Sequence, residues 1–311
     1  MRVLVTGASG FVGQRLLPGL TGAGHAVLGT DRELDVTDGP AWIATLARFR
    51  PDAVIHLAAL SSVARSFEAP EACYRVNYLG TRTLLASIAA VAPRARVLLV
   101  GSADAYAATA PQVAPFDEST PLRPRSPYAR TKAAAELLGR LARRNGLDVV
   151  CVRAFNHTGP GQSEAFVVPA FARQVAAIAA GRAEPVLRVG NLASVRDFLH
   201  VDDVVRAYLG LLDPCVPAAV YHVASASGVS IGTLLDGLLR IAGVSARIEV
   251  DPSRYRPTDW LVGDATRLRR ATGWQPRIGL ETLLGDVYSD ARAREAAALE
   301  PGARPGAARH A

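Results

Sequence analysis

Tyr128 and Lys132 stand four residues apart in the stretch SPYARTK (126–132), and together they could carry out acid–base chemistry. Lys132 is the single lysine among the 35 basic residues of the chain, all the others being arginine, so a compact ammonium is kept at one position only. Side chains four residues apart on a helix share a face. A phenol has a pKa of about 10, and a neighbouring ammonium favours its ionised form. We therefore expect Lys132 to lower the pKa of Tyr128, which would exchange a proton with a carbonyl or hydroxyl group.

A third polar residue, Ser102, ends the apolar run RVLLVGS (96–102). Open α/β sheets bind their ligands at the carboxyl ends of the strands. We therefore expect the hydroxyl of Ser102 to lie beside Tyr128 and to hold the reacting oxygen.

These residues need a scaffold, and the first 155 residues alternate short apolar runs with longer amphipathic stretches. Strands that are apolar throughout are typical of a sheet buried on both faces, and their alternation with helices predicts parallel βαβ units in a doubly wound α/β (Rossmann) fold. The predicted strands are 2–6, 26–30, 53–57, 96–101 and 148–153, and the predicted helices are 11–23, 40–49, 70–92 and 127–145.

The pattern changes after residue 155, where loops rich in Gly and Pro separate shorter helices near 165–180, 201–212 and 231–241. A further strand is predicted in the run AVYHVAS (219–225). We therefore expect a dinucleotide-binding domain over 1–160 to which part of 186–225 returns, and a smaller substrate-binding lobe over 161–292. The stretch 293–311, rich in Ala, Pro and Gly, is predicted to be a flexible tail.

The first predicted strand runs into TGASGFVG, which contains Gly7, Gly10 and Gly13. Glycines at this spacing, after a strand and at the start of a helix, allow the backbone to approach a pyrophosphate closely. The N–H groups of the following helix, which begins with Phe11 and Val12, would face the phosphates. This stretch predicts a dinucleotide site.

Asp31, at the end of the second strand, would bind the ribose hydroxyls of NAD(H), whereas Arg32 could bind the 2′-phosphate of NADP(H). The preference therefore leans towards NAD(H) without excluding NADP(H). Five other residues are expected to line the cofactor at the adenine loop and at the end of the third strand: Asp35, Val36, Leu57, Ala58 and Ala59.

The composition limits the other classes of partner. The net charge of +7 comes from scattered arginines without a nucleic-acid-binding motif, so we expect a small anionic ligand and no nucleic acid. The apolar runs are too short to span a membrane, and no signal peptide is recognised. Three widely spaced cysteines fit neither a disulfide framework nor a zinc site. A cytoplasmic, metal-free protein is expected.

Together, TGASGFVG, GSADAY and SPYARTK resemble the extended short-chain dehydrogenase/reductases that act on nucleotide sugars. The resemblance implies that Ser102, Tyr128 and Lys132 form the catalytic set. It also implies a homodimer formed through the helices near 70–92 and 127–145.

Four later stretches, RAFNHTGPGQS, VGNLASVRDFLHVDDVVRAY, RYRPTDW and TGWQPRIGLETLL, resemble the reductases of GDP-4-keto-6-deoxy-D-mannose, which form GDP-D-rhamnose. The GDP-mannose 4,6-dehydratases are similar as well. Arginine suits a diphosphate because its planar fork binds two oxygens at once. The substrate-binding residues implied are Asn156, Val167, Arg188, Asn191, Arg196, Arg256 and Asp259, while His157 is expected to shape its loop.

Asp104 bears on the choice between reductase and dehydratase. In the dehydratases a glutamate two residues after the catalytic Ser or Thr acts as a base, and here this position is the shorter Asp104. Because a shift of about 1 Å can lower a rate about 100-fold, dehydration is left open but disfavoured. SGFVG in the glycine loop also resembles the reductases, whereas Ala103 and Ala107 depart from their usual pattern.

Two other interpretations stay open. One is a dehydratase or epimerase on the same fold that recycles a tightly held cofactor. The other is a non-catalytic dinucleotide-binding protein, although relatives of that kind typically lose the Tyr or the Lys. Replacement of Lys132 by Arg separates them, since an enzyme should lose most of its activity.

Overall fold

The computed structural model describes residues 1–106, 114–252 and 259–297. Its main feature is a sheet of six parallel strands in the order β2-β1-β3-β4-β5-β9. These strands are β1 (Arg2–Thr6), β2 (Ala26–Thr30), β3 (Ala53–His56), β4 (Arg96–Ser102), β5 (Val149–Ala154) and β9 (Val220–Val223). The predicted doubly wound fold is confirmed. The strand order reverses between β1 and β3, which is where such sheets bind their ligands.

Helices cover both faces of this sheet. On one face lie α1 and α8, packed on a core that includes Val5, Leu16 and Tyr208. On the other face lie α2, α5 and α6, over a core that includes Leu4, Trp42 and Ile88. The helices of this part are α1 (Phe11–Gly22), α2 (Gly39–Phe49), α3 (Val63–Glu68), α4 (Pro70–Tyr74), α5 (Thr81–Val91), α6 (Pro127–Arg144) and α8 (Val201–Leu211).

The predicted helix 70–92 is interrupted. It consists of α4, a single π-helical segment (Arg75–Gly80) and α5. The interruption coincides with Asn77, whose buried side chain exchanges two hydrogen bonds with the backbone of Leu60. A π-helical turn within a helix is often found at a functional site.

The second lobe has its own apolar core, which includes Phe171, Leu238 and Val287. That core lies between α7 (Val167–Ala179), α9 (Ile231–Ala242) and α11 (Leu280–Ala297). The remaining elements are β6 (Asn156–Thr158), β7 (Val186–Val189), β8 (Val195–His200), β10 (Gly228–Ser230), β11 (Arg247–Val250), β12 (Trp260–Leu261) and α10 (Thr266–Thr272). β8 joins β6, β10 and β12 in a small sheet, and β7 pairs with β11.

The C-terminal helix differs from the expected tail, because α11 continues to Ala297. Two contacts hold its end: Ala291 is buried, and Glu295 forms an ion pair with Arg182. The rest of the predicted tail, 298–311, lies outside the described residues. Within the described residues no helix combines the length and the hydropathy that a membrane span requires.

Candidate active site

The helix α6 begins where the sequence provides a cap. The side chain of Ser126 accepts a hydrogen bond from the backbone N–H of Ala129 at 3.0 Å, and Pro127 occupies the first turn, where its missing N–H is not needed. Tyr128 follows in the same turn and Lys132 lies one turn further, and both are buried with 7% of their surface exposed. The predicted shared face is therefore directed towards the sheet.

Lys132 reaches the adjacent strand. Its Nζ donates a hydrogen bond to the carbonyl oxygen of Val100, two residues before Ser102, at 2.6 Å. Burial lowers the pKa of the Lys132 ammonium to about 8, against a smaller raising effect of Cys73. The ammonium is thus held beside the carboxyl end of β4 and titrates much closer to neutrality than an exposed lysine.

The expected lowering of the Tyr128 pKa is not found. Burial raises the pKa of this phenol, and the charge of Asp104 raises it further, while hydrogen bonding to Ser102 lowers it. Lys132 is not among the groups that shift it. The physical reason is that complete removal of the phenol from water disfavours its charged form more than one neighbouring hydroxyl favours it. The phenol of Tyr128 therefore keeps its proton at neutral pH.

Ser102 and Asp104 occupy the end of β4 and the short turn that follows it. The side chain of Ser102 accepts a hydrogen bond from the backbone N–H of Asp104 at 3.1 Å, which fixes this turn. Burial raises the pKa of the Asp104 carboxyl, the charge of Arg196 opposes this, and the charge of Asp259 adds to it. The four predicted catalytic residues are therefore brought together, with Arg196 beside them.

Arg196 is fixed by Asp259 rather than left free. The guanidinium forms two contacts of 2.7 Å with the two carboxylate oxygens. Both side chains keep about a quarter of their surface exposed. This ion pair holds an arginine at the edge of the site, which suits recognition of a diphosphate or sugar hydroxyls.

The glycine loop is as compact as its spacing predicts. Gly7 has a φ of +69°, and a Cβ at this residue would lie 2.8 Å from the backbone N of Ala58. A Cβ at Gly13 would lie 2.5 Å from the carbonyl oxygens of Gly7 and Ala8. The first turn of α1 has no side-chain cap, so its N–H groups are available to an anion. These features fit a dinucleotide pyrophosphate.

Asp31 accepts hydrogen bonds from both the backbone N–H and the hydroxyl of Ser9, at 2.9 and 2.6 Å. Its other oxygen accepts from the backbone N–H of Arg32. The carboxylate is thus fixed next to the glycine loop, where a ribose would lie.

The other predicted cofactor residues surround this loop. Asp35 forms an ion pair with Arg75, and Val36 packs against Gly80 in the π-helical segment. The backbone N–H groups of Leu57 and Ala58 donate to Thr6, which links the ends of β3 and β1.

Phe11 stacks on His157 with 6.2 Å between ring centroids. Val12 is partly buried against the main core, and Ala59 follows Ala58 in the same segment.

The predicted substrate residues are spread over the second lobe. Asn156 lies on β6 beside Phe198, and Val167 begins α7. The side chain of Asn191 accepts a hydrogen bond from the backbone of Ala193. Arg188 is exposed on β7, where it lines a groove of about 590 Å³ together with Arg173 and Arg247, and its link to the substrate stays a prediction. Arg256 and Ala107 lie outside the described residues.

A buried ion pair next to Lys132 was not predicted from the sequence. Glu136 stands four residues after Lys132 on α6 and forms an ion pair with Arg153 on β5, both with 4% of the side chain exposed. The spacing of Tyr128, Lys132 and Glu136 was the signal available in the sequence, since three residues four apart continue one helix face.

A parallel sheet with a glycine loop after β1, and a Ser, a Tyr and a Lys at the carboxyl end of β4, define an extended short-chain dehydrogenase/reductase. Residues 32–287 match the family model described as GDP-mannose 4,6 dehydratase. The chain belongs to this family.

Three similar proteins agree with this assignment. The GDP-6-deoxy-D-mannose reductase of Pseudomonas aeruginosa is 38% identical over 94% of this chain and 98% of its own length. A solved structure of RMD from Pseudomonas aeruginosa complexed with NADPH is 36% identical with a TM-score of 0.86, covering 94% of this chain and 98% of that one. The UDP-glucose 4-epimerase of Thermus thermophilus in complex with NAD is 29% identical with a TM-score of 0.83, covering 94% and 99%.

Proposed function

We propose that this protein reduces the C4 keto group of a GDP-4-keto-6-deoxy-hexose, converting GDP-4-keto-6-deoxy-D-mannose to GDP-D-rhamnose with NADH or NADPH. The observation that carries the proposal is the group formed by the buried Tyr128 and Lys132 with the partly buried Ser102, in a fold that also has an uncapped glycine-loop helix. The similarity to the GDP-6-deoxy-D-mannose reductase supports the substrate.

The chain's own residues have distinct roles in this reaction. A reduced nicotinamide supplies the hydride when it is bound. Ser102 donates a hydrogen bond to the keto oxygen, and Tyr128 gives its phenolic proton to the same oxygen as negative charge develops there. The raised pKa of Tyr128 keeps this proton in place before the reaction. The ammonium of Lys132, held at the carboxyl end of β4 by the carbonyl oxygen of Val100, would bind the ribose of the nicotinamide nucleotide.

The glycine loop and Asp31 hold the dinucleotide. A preference for NAD(H) rests on the fixed carboxylate of Asp31, which would repel a 2′-phosphate. Arg32 would act in the other direction, since its guanidinium could bind that phosphate and favour NADP(H). Arg196, held by Asp259, binds the diphosphate or sugar of the substrate.

The test is a reduction assay with purified protein, the keto sugar, and NADH or NADPH in separate reactions. We expect stoichiometric loss of absorbance at the nicotinamide band and a 6-deoxy sugar with a hydroxyl at C4, identified by NMR. Retention of the reduced cofactor with both forms would exclude the proposal. The ratio of kcat/KM for the two forms tests the preference.

A second candidate is a dehydratase or epimerase that recycles its cofactor. The carboxyl of Asp104 favours it, since this group lies two residues after Ser102 and adjoins Arg196. This activity would convert GDP-mannose or another nucleotide sugar without added reductant. Turnover under those conditions, measured across GDP, UDP, CDP and dTDP sugars, distinguishes it from the reductase.

A further inference from the structure

A buried polar network lies directly behind the candidate catalytic residues. Glu136 follows Tyr128 and Lys132 on the same face of α6, and its carboxylate receives two hydrogen bonds of 2.7 Å from Nε and one terminal nitrogen of Arg153. This fork-to-carboxylate geometry fixes both the distance and the relative orientation of the two side chains. Helix α6 is thereby attached to β5 one turn beyond Lys132.

Arg153 also connects β5 to the turn after β4. In the register of the two strands it lies opposite Gly101, the residue before Ser102. Its remaining terminal nitrogen donates to the hydroxyl of Tyr106, and its guanidinium lies 5.1 Å from the centre of that ring. Tyr106 is two residues from Asp104. One guanidinium therefore contacts the catalytic helix and the segment 102–106 at the same time.

The network continues through Tyr106 to the second lobe. Burial lowers the pKa of His222 to about 3, so its ring is neutral, and its Nδ1 faces the carbonyl oxygen of Asp264 at 3.1 Å. Nε2 of the same ring lies 2.7 Å from the Tyr106 hydroxyl, which also lies 3.0 Å from the carbonyl oxygen of Asp117. Asp264 follows β12, which begins one residue after Asp259.

We propose that the Arg153–Glu136 ion pair, with Tyr106, is a positioning unit that sets the Tyr128 hydroxyl against Ser102 and Asp104. This inference rests on the proposed function. A buried ion pair adds little net stability compared with a well-packed apolar pair. We therefore attribute the role of this pair to the geometry that it fixes. Because a shift of about 1 Å in a reacting group can lower a rate about 100-fold, a looser pair should slow the chemical step.

The test compares Arg153→Lys with a matched control, Arg96→Lys. Arg96 is also buried and paired with a carboxylate, Asp148, but it lies at the opposite end of β4. For Arg153→Lys we expect kcat to fall about 10- to 100-fold, with KM for both substrates changed less than about twofold. We also expect a larger kinetic isotope effect with a 4-deuterated reduced nicotinamide, since hydride transfer becomes more rate-limiting. For Arg96→Lys we expect a lower Tm, and a normal kcat at temperatures below that Tm.

A second variant, Tyr106→Phe, keeps the ion pair and removes one hydroxyl, so it serves if Arg153→Lys does not fold. It should lower kcat about tenfold at unchanged KM. A folded variant with a normal kcat and a normal isotope effect overturns the proposal. A loss of activity that only matches the fraction of unfolded protein, which is the behaviour expected of Arg96→Lys, overturns it as well.

The wild type separates this result from the proposed function. A wild type without activity on the keto sugar rejects the proposed substrate, and the same kinetic comparison is then made with whichever nucleotide sugar it does turn over.

Discussion

The protonation states of Lys132 and Tyr128 suit the proposed reduction. Burial acts on both in the direction of the neutral form, lowering the pKa of the ammonium and raising that of the phenol. A reductase needs the phenol protonated at the start of the reaction and an ammonium nearby when the phenolate forms. Both conditions hold near neutral pH, and the ammonium is the one that is lost first as the pH rises.

We therefore predict that kcat/KM of the reductase falls as the pH rises through about 8, the pKa to which burial lowers the Lys132 ammonium. The pH dependence of kcat/KM reports ionising groups of the enzyme form to which the substrate binds, Lys132 among them. Tyr128 stays protonated over that range because its pKa is raised. Initial rates at subsaturating substrate from pH 6 to 10 measure the effect.

Stability and residual activity provide the controls. An unfolded lysine has a higher pKa, so above about pH 8 the folded state binds fewer protons than the unfolded one, and the contribution of Lys132 to stability increases with pH. Loss of activity there is not unfolding caused by this residue. In Lys132→Arg the charge persists, so the residual activity should lack this alkaline decline. A decline in the wild type that begins only at about 10, the usual range of lysine, would contradict the assignment.

The glycine loop is the element that the sequence describes most fully, because its geometry depends on neighbours along the chain. Gly7 needs a left-handed φ, and the backbone of the turn lies so close to Gly13 that it leaves no room for a side chain there. Strands and caps are local in the same sense, and β1, β2 and the first residue of α6 lie where the patterns predict them.

We predict that Gly13→Ala damages cofactor binding. Its Cβ would lie 2.5 Å from two carbonyl oxygens of the loop, so the backbone that faces the pyrophosphate must move, and overpacking of this kind costs about 1–3 kcal/mol. The matched control is Gly22→Ala at the other end of α1, where a Cβ has nothing within 4 Å. Titration of nicotinamide fluorescence should give a Kd raised at least about fivefold for Gly13→Ala, since ~1.4 kcal/mol is tenfold. Equal Kd values for the two variants would contradict the prediction.

Long-range contacts explain the features that sequence reasoning missed. The π-helical segment depends on Asn77 reaching Leu60, and the apolar periodicity of 70–92 contains no trace of that contact. Arg153 and Glu136 are far apart in the chain, and each by itself is typical of a surface position. The raised pKa of Tyr128 depends on burial by several elements at once. Spacing could therefore nominate candidate catalytic residues but could not predict the protonation states that burial gives them.

The surface of the sheet domain suggests how two copies associate. Four large apolar side chains are exposed on helices that contact one another, namely Phe67 (62%) on α3, Tyr74 (48%) on α4, and Leu137 (55%) and Leu141 (44%) on α6. Exposed apolar groups clustered in this way are typical of an interaction site. In a two-fold dimer each of these helices would contact its own copy or a neighbouring helix of the other copy, and we propose this surface as the interface of the homodimer that the family resemblance implies.

We predict that the double variant Leu137→Glu, Leu141→Glu is a monomer, because four like charges would be buried at the two-fold interface. Glutamate keeps the helix propensity of leucine, so α6 and its buried residues Tyr128 and Lys132 should stay folded. Ile43→Glu on α2, another exposed apolar residue (43%), is the matched control and should leave the dimer intact. Light scattering after size-exclusion chromatography measures the mass, and cofactor binding checks the fold. A wild type that is monomeric at micromolar concentration would contradict the homodimer, and a double variant that stays dimeric would place the interface elsewhere.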